Sequence, residues 1–403
     1  MRRFRDSVDL PEIVVTPQNP TPDASGPTVS NDDALAQFSA ERFVRYDSPP
    51  FLTRAVVVVD GVMYYEWTSV EVRLATNETP PATFRLTVSE QELPRDSGQA
   101  FRIVPGDICE IFLDGYKIIN GFVMVRQVYY DGRSHQIEIQ GCGETGLLLI
   151  RAATSQTGEF NNTPAIGVIS ALAGAAGVGT LPISGLSALP LERHSVTPGA
   201  SAWEEIEKIS RQIGAFLTEW PGGNLVIGDT TSIGLVGAST VIEGYNILEA
   251  REVIHTMMNP SATPLTSQRP GNDQVSMAQA AQLVVNAAGN GAFAIASAAT
   301  RSLMELPGWS QALMALRARH ENIVSAMNSI LVTICLVGWQ RPGLGGLWIP
   351  LADNVTVNSP MLVLNNQSLM LKAVTYTQDN RSGTRATLEL VNPYGLNPIS
   401  ALQ

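Results

Sequence analysis

The chain has 403 residues, of which 44% are hydrophobic and only 16% charged, and its formal net charge is −11. That length suggests roughly two to four domains. The acidic balance excludes a surface built to coat nucleic acid, which gathers Lys and Arg. The low charge density fits a protein that buries surface against other subunits. Cys109, Cys142 and Cys335 lie far apart with no C-x-x-C among them. This excludes a disulfide framework or a zinc site and predicts reduced thiols in or beside strands, in a protein made in a cytosol. Met1-Arg2-Arg3-Phe4-Arg5 is basic, but no apolar stretch follows, so no secretory leader is expected. No run approaches the ~18 apolar residues of a membrane span.

Residues 1–50 stand apart. Pro11, Pro17, Pro20, Pro22 and Pro27 sit among Thr, Asn, Asp and Ser, and only Ile13, Val14 and Val15 favour a strand. The composition predicts a flexible arm. The alternative is an arm that lays Ile13–Val15 along the sheet edge of a neighbouring subunit. From residue 51 the pattern is β. A strand over 56–59 leads through Asp60-Gly61 into 62–67. Val70, Val72 and Leu74 alternate with Glu71 and Arg73, and Phe84, Leu86 and Val88 with Arg85 and Thr87. Pro105-Gly106-Asp107 is a turn ahead of a strand over 108–113. Asp114-Gly115 is the strongest short hairpin signal, since both residues tolerate positive φ. A strand over 116–119, an interruption at Gly121, a strand over 122–130, a second Asp-Gly pair at Asp131-Gly132 and an alternating strand over 135–140 follow.

This order of Pro-Gly-Asp, strand, Gly-led hairpin, Tyr129-Tyr130-Asp131-Gly132, the segment HQIEIQG at 135–141 and GLLLIRAA at 146–153 resembles the first barrel of the baseplate hub proteins of contractile phage tails, the Mu-type late-control family. The resemblance extends from about residue 51 through most of the chain. Past residue 150 the period changes. Thr163-Pro164 reads as an N-cap with Pro at the first helical position. Ile166, Ile169, Leu172, Ala173 and Ala176 form one face, and Gly177 is the stop. A second helix starts at Ser201 with Glu204 placed for a capping box; Ile206, Ile209 and Ile213 are its core stripe and Gly214 its end. Strands over 216–220 and 225–227 then flank a Pro221-Gly222-Gly223-Asn224 turn. The hub family carries such an α+β module after its first barrel, with a return like Gly223-Asn224-Leu225-Val226-Ile227.

Residues 243–256 resemble the family's crossing into a second β domain. Residues 276–320 are rich in Ala, Gln, Asn and Met, with helical spacing over 277–288, 292–304 and 309–320. The end of a helix passes into a strand over 330–337. Leu347-Trp348-Ile349-Pro350 with Val355-Thr356-Val357 resembles the family's LW-x-P…V-x-V segment, and strands follow over 362–364, 369–376 and 386–391. The chain repeats itself here. Val128-Tyr129-Tyr130, Asp131, Arg133, Ser134 and Ile137-Glu138-Ile139 match in order Val374-Thr375-Tyr376, Asp379, Arg381, Ser382 and Leu388-Glu389-Leu390. The expected fold is therefore α+β and mainly β. It comprises a flexible arm (1–50), a first small β-barrel (51–150), an α+β module (151–229), a helical insertion (261–323) and a second, related β-barrel (230–260 with 324–403).

No residue set points to catalysis, a cofactor or a metal. There is no H-E-x-x-H, G-x-S-x-G or Walker loop. The glycine-rich run 174–179 ends a helix, where the dipole repels phosphate. His135, His194, His255 and His320 are scattered and read as surface or turn residues. Glu204, Glu205 and Glu207 complement a helix N-terminus. Trp67, Trp220 and Trp348 read as core. The resemblance implies a structural baseplate hub in the virion tail, synthesised in the host cytoplasm. It implies a homotrimer acting as a pseudo-six-fold adaptor, with a central spike, a tail tube or tube-initiator protein and other baseplate proteins as partners. It also implies a channel through which DNA passes without specific binding. The competing reading is a tail-associated peptidoglycan hydrolase, which would need two facing carboxylates.

Overall fold

The computed structural model describes residues 55–392 apart from 60, 66, 90–102, 132–134, 156–157, 184–189, 230–236, 255–261, 268–282, 289–302, 306–310 and 363. The expected arm over 1–50 and His255 lie outside the described residues.

A first set of strands comprises β1 (Ala55–Val59), β2 (Val62–Tyr64), β3 (Ser69–Ala75), β4 (Ala82–Ser89), β5 (Ile108–Leu113), β6 (Tyr116–Tyr130) and β7 (His135–Gly143). Alternation decides their faces. Val70, Val72, Leu74, Phe84, Leu86, Val88, Ile137 and Ile139 turn inward, while Glu71 and Arg85 stay at the surface. Asp114 (φ 54°) and Gly115 (φ 81°) form the tight β5–β6 turn. The strand does not break at Gly121 as its glycine suggests. β6 runs through it, because a Cβ there would collide with the Cys142 carbonyl oxygen on β7. The glycine allows a close backbone approach.

A short helix, α1 (Leu147–Ile150), leads into β8 (Glu159–Pro164), α2 (Ala165–Ala175), β9 (Thr180–Pro182), β10 (Pro190–Ser195), α3 (Ala202–Ile213), β11 (Phe216–Glu219) and β12 (Leu225–Gly228). β8 pairs with β10, and β9 lies parallel to β12 beside β11. Thr163 is not the cap of α2. It lies within β8 with its hydroxyl donating to Asn161 O, and Pro164 occupies the cap position. α3 has the expected capping box: Glu204 N donates to Ser201 Oγ at 3.2 Å and Ser201 N to Glu204 Oε2 at 2.8 Å. Its Ile206, Ile209 and Ile213 pack with Val168, Ile169 and Leu172 of α2 in one cluster.

The remaining elements are β13 (Gly237–Ile242), β14 (Ile247–Ile254), β15 (Ala262–Ser267), β16 (Leu283–Ala288), β17 (Leu303–Glu305), α4 (Gln311–Ser329), β18 (Ile330–Val337), β19 (Asp353–Ser359), β20 (Leu364–Asp379) and β21 (Gly383–Val391). The expectation of an all-helical insertion is corrected here. Leu283–Ala288 is a strand between 277 and 288, and pairs with β15, which β17 flanks on the other side. Most of 292–304 lies outside the described residues. Among the described residues the third expected helix forms, as α4, and it continues to Ser329. Val284 and Val285 favour a strand once a partner is present, and that tertiary pairing outweighs the helix preference of the neighbouring alanines.

Both strand sets belong to one 13-stranded sheet, in the order β14-β18-β21-β20-β3-β4-β7-β6-β5-β1-β2, with β19 beside β20 and β13 beside β19. The first set runs β3-β4-β7-β6-β5-β1 and the second β14-β18-β21-β20-β19-β13. The two paths use their strands in the same chain order. Each pairing is antiparallel in both, except that β13 lies parallel to β19 where β1 is antiparallel to β5. The repeated hairpins occupy equivalent places: Val128 pairs with Ile137 and Val374 with Leu388, while Glu138 and Glu389 follow in each returning strand. β20 joins the sets, its first half lying beside β19 and its second beside β3 (Ala373↔Ala75 to Asp379↔Ser69). Inward residues of both sets form a single core.

Candidate functional site

The joint between the sets is built by side chains as well as backbone. Arg73 on β3 reaches over β20, donating from Nη1 to Thr375 Oγ1 at 3.0 Å and to Glu389 Oε1 on β21 at 2.7 Å. Its Nε and Nη2 bind Glu78 at 3.0 and 2.7 Å. The two carboxylates hold the half-buried guanidinium firmly charged, so β3, β20, β21 and the β3–β4 turn are tied by charge-assisted bonds. Next to it, Asn77 takes φ 56° and docks β11: Asn77 N donates to Leu217 O and Leu217 N to Asn77 Oδ1, both at 2.7 Å.

The carboxylates flagged in the sequence do not converge. Glu204 is spent on the capping box, and Glu207 pairs with Arg211. Glu205 is buried, accepts from Lys208 Nζ at 2.7 Å and Thr197 N at 3.3 Å, and lies 3.1 Å from His194 Nε2. Burial alone would raise its pKa, but Lys208 and Thr197 outweigh it and the net shift is downward. His194 is lowered, with burial outweighing Glu205. His135 is exposed, as expected. His320 is not at the surface: it is buried on α4, 5.0 Å from the Phe216 ring, and burial and Arg317 push its pKa down to about 3. It lines a cleft of ≈ 220 Å³ between α3, β11 and α4 with Trp203 and Arg317. The glycine-rich end of α2 faces a cation, since Arg151 Nη1 donates to Ala176 O at 2.6 Å.

Sequence reasoning missed the one carboxyl that comes nearest to a general acid. Glu219 is buried at the end of β11 and accepts from the Thr145 hydroxyl and, at 3.3 Å, from Thr145 N. Burial pushes its pKa up to about 8. Half-buried Glu144 lies close enough to add to that shift, and is itself raised by burial, while Asn120 Nδ2 donates to it at 3.1 Å. A Cβ on Gly143 would collide with the Glu219 carboxyl, and one on Gly223 with Glu144. Glu219 is wholly buried between β7, the turn after it and β11, while Glu144 keeps partial exposure. Its only signal in the sequence is a carboxylate closing the apolar run Phe216-Leu217-Thr218. Among the described residues no three His, Cys, Asp or Glu gather as a metal site, and no helix is long and apolar enough to cross a membrane.

With strand order and joint in view, two family models match consecutive segments. Residues 54–143 match the Mu phage baseplate assembly protein GpP-like N-terminal domain, and residues 145–229 the second domain of baseplate hub protein gp44-like proteins. Over residues 54–229 the chain thus resembles two consecutive domains of phage baseplate proteins. The hub fold recurs in solved structures. A 43 kDa tail protein of prophage MuSo2 from Shewanella oneidensis is 20% identical with a TM-score of 0.67, covering 84% of this chain and 98% of that one. A tail protein of Neisseria meningitidis MC58 is 17% identical with a TM-score of 0.67, covering 86% and 98%. An E. coli component of the type VI secretion system, described as similar to the T4 tail proteins gp27 and gp5, is 10% identical with a TM-score of 0.53, covering 88% and 78%. These likenesses show the fold. No curated protein sequence matches the hub chain. The hub is thus a mainly-β, α+β structural component of a virion tail, assembling with other tail components.

Proposed function

We propose that this hub is a homotrimer that joins the central spike of a contractile tail to its tail tube or tube-initiator protein and surrounds the DNA channel. The observation that carries the reading is the duplicated strand order within one chain. A spike is a three-fold object, and a closed cyclic trimer matches it directly. A tube of stacked six-fold rings needs six similar surfaces, which three chains supply if each contributes two. Equivalent backbones suffice for that, so the two sets need share few side chains. The net charge of −11 suits a passage that does not hold phosphate. The chain acts by assembly rather than by catalysis in this reading: among the described residues the carboxyl nearest to a general acid, Glu219, is wholly buried.

Mass measurement in solution, with a turbidity assay on purified cell wall, tests this. The expected species is a trimer of the 43.2 kDa chain with no lytic activity. A monomer that clears cell wall would establish the hydrolase instead.

A further inference from the structure

The cleft of ≈ 220 Å³ between α3, β11 and α4 is lined by polar atoms that the fold leaves without partners. Trp203 on α3 and His320 on α4 both line it, and each is only 3% exposed. Trp203 Nε1 and His320 Nδ1 make no hydrogen bond within the chain. Buried polar groups are nearly always paired, so two of them from different helices on one cleft point to a shared ligand. The rim is polar as well: Glu207 pairs with Arg211, and Arg317 with Glu321 at 2.5 Å.

The hydrogen-bond roles of these atoms decide the ligand's chemistry. An indole N–H only donates. The His320 ring also bonds to the Gly214 backbone, and the bond favours the protonated ring, as a carbonyl acceptor does. Nδ1 has no partner, so Nε2–H makes this bond. Burial and nearby Arg317 keep the ring neutral, which leaves Nδ1 a lone-pair acceptor. The Ser210 hydroxyl, also in the lining, donates to Glu207 O at 2.9 Å and can still accept. A ligand must therefore accept from Trp203 and donate to His320. A carboxylate has no proton for Nδ1, and an ammonium has no lone pair for the indole; a hydroxyl or an amide has both. The two Arg–Glu pairs at the rim cancel in charge, so they select no ion. The volume equals that of about seven waters at ~30 Å³ each, comparable to one sugar ring. We propose that this cleft binds a neutral, monosaccharide-sized ligand, held by a hydroxyl or amide group between Trp203 Nε1 and His320 Nδ1.

This inference is independent of how the chains assemble. Isothermal titration of the full chain tests it with N-acetylglucosamine, which carries hydroxyls and an amide, and with acetate and methylammonium as charged controls. The expected result is saturable binding of N-acetylglucosamine and of neither control. Glucose and acetamide then show which group the cleft holds. His320→Phe and Trp203→Phe each keep a ring while removing the acceptor or the donor. Where thermal unfolding shows these variants folded, each is expected to weaken binding about tenfold or more, the cost of leaving the ligand one bond short. Arg211→Trp places a bulky side chain at the exposed rim, away from the core, and is expected to abolish binding. No saturable binding by the wild type overturns the proposal and leaves the cleft to water. Equal binding of acetate or methylammonium overturns it too, as does an affinity unchanged in Arg211→Trp, which would put the site elsewhere.

Discussion

At the residue scale, Glu219 shows how a charge can be placed for packing instead of chemistry. Its carboxyl sits where β11 meets the turn after β7, with Thr145 donating to it and Gly143 leaving room for it. Burial favours the neutral form, so the acid is held up to about 8, well above its ordinary 4.5. The folded state therefore keeps a proton that the unfolded chain has lost across that window. Stability is greatest below pH 4.5 as far as this group is concerned and declines as pH rises towards 8, by at most about 1.4 kcal/mol per pH unit. Glu219→Gln keeps the shape and an acceptor but cannot ionise. Its melting temperature should change less between pH 5 and 8 than that of the wild type, with the gap in favour of the variant widening at the upper end. Parallel pH slopes in the two proteins, measured by thermal unfolding, would place the proton elsewhere.

At the scale of elements, the segment between β18 and β19 depends on a buried polar knot. Arg341 Nη1 donates to Asp353 Oδ1 at 2.7 Å, Ile349 N to Asp353 Oδ2 at 2.6 Å and Arg341 Nε to Gly345 O at 3.1 Å. The Tyr376 hydroxyl accepts from Trp348 N at 2.7 Å and donates to Trp348 O at 2.8 Å. Removing one partner strands the others without water. Asp353→Ala should cost about 3–5 kcal/mol, the usual penalty for breaking a buried ion pair. Tyr376→Phe should cost about 1–3 kcal/mol by leaving Trp348 N unpaired; chemical denaturation measures both.

This scale also separates what the sequence makes legible from what it does not. Alternation at Val70–Leu74 and 135–140, the Asp114-Gly115 turn and the Ser201/Glu204 cap are local signals, and each forms as read. The helix-to-strand change at Ile330 is equally local. The strands inside 261–305 depend on pairing partners distant in the chain, so an Ala-rich run read by itself suggests a helix. The same is true of the β20–β3 joint: residues 69–75 and 373–379 bear no mark of each other, and only the repeated hairpin hints that the two regions are related. Glu219 escaped notice because nothing local distinguishes a buried strand-end carboxylate from an exposed one.

At the scale of the whole molecule, the fold is a duplicated strand path held by one internal joint, with an α+β module packed against it. Phe216, Trp220 and Val226 of that module meet Ile349, Leu351, Met370 and Val391 of the second set, which ties it to the sheet. Three such chains in a ring of six like units would suit a three-fold spike at one end and a six-fold tube at the other. End-on electron-microscopic averages of the purified protein, computed without imposed symmetry, test it most directly. The expected average is a ring of six similar lobes at one height around a hole, alternating so that the exact symmetry is three-fold. Averages showing a two-fold particle, or three lobes at one height with the other three displaced along the axis, would contradict it.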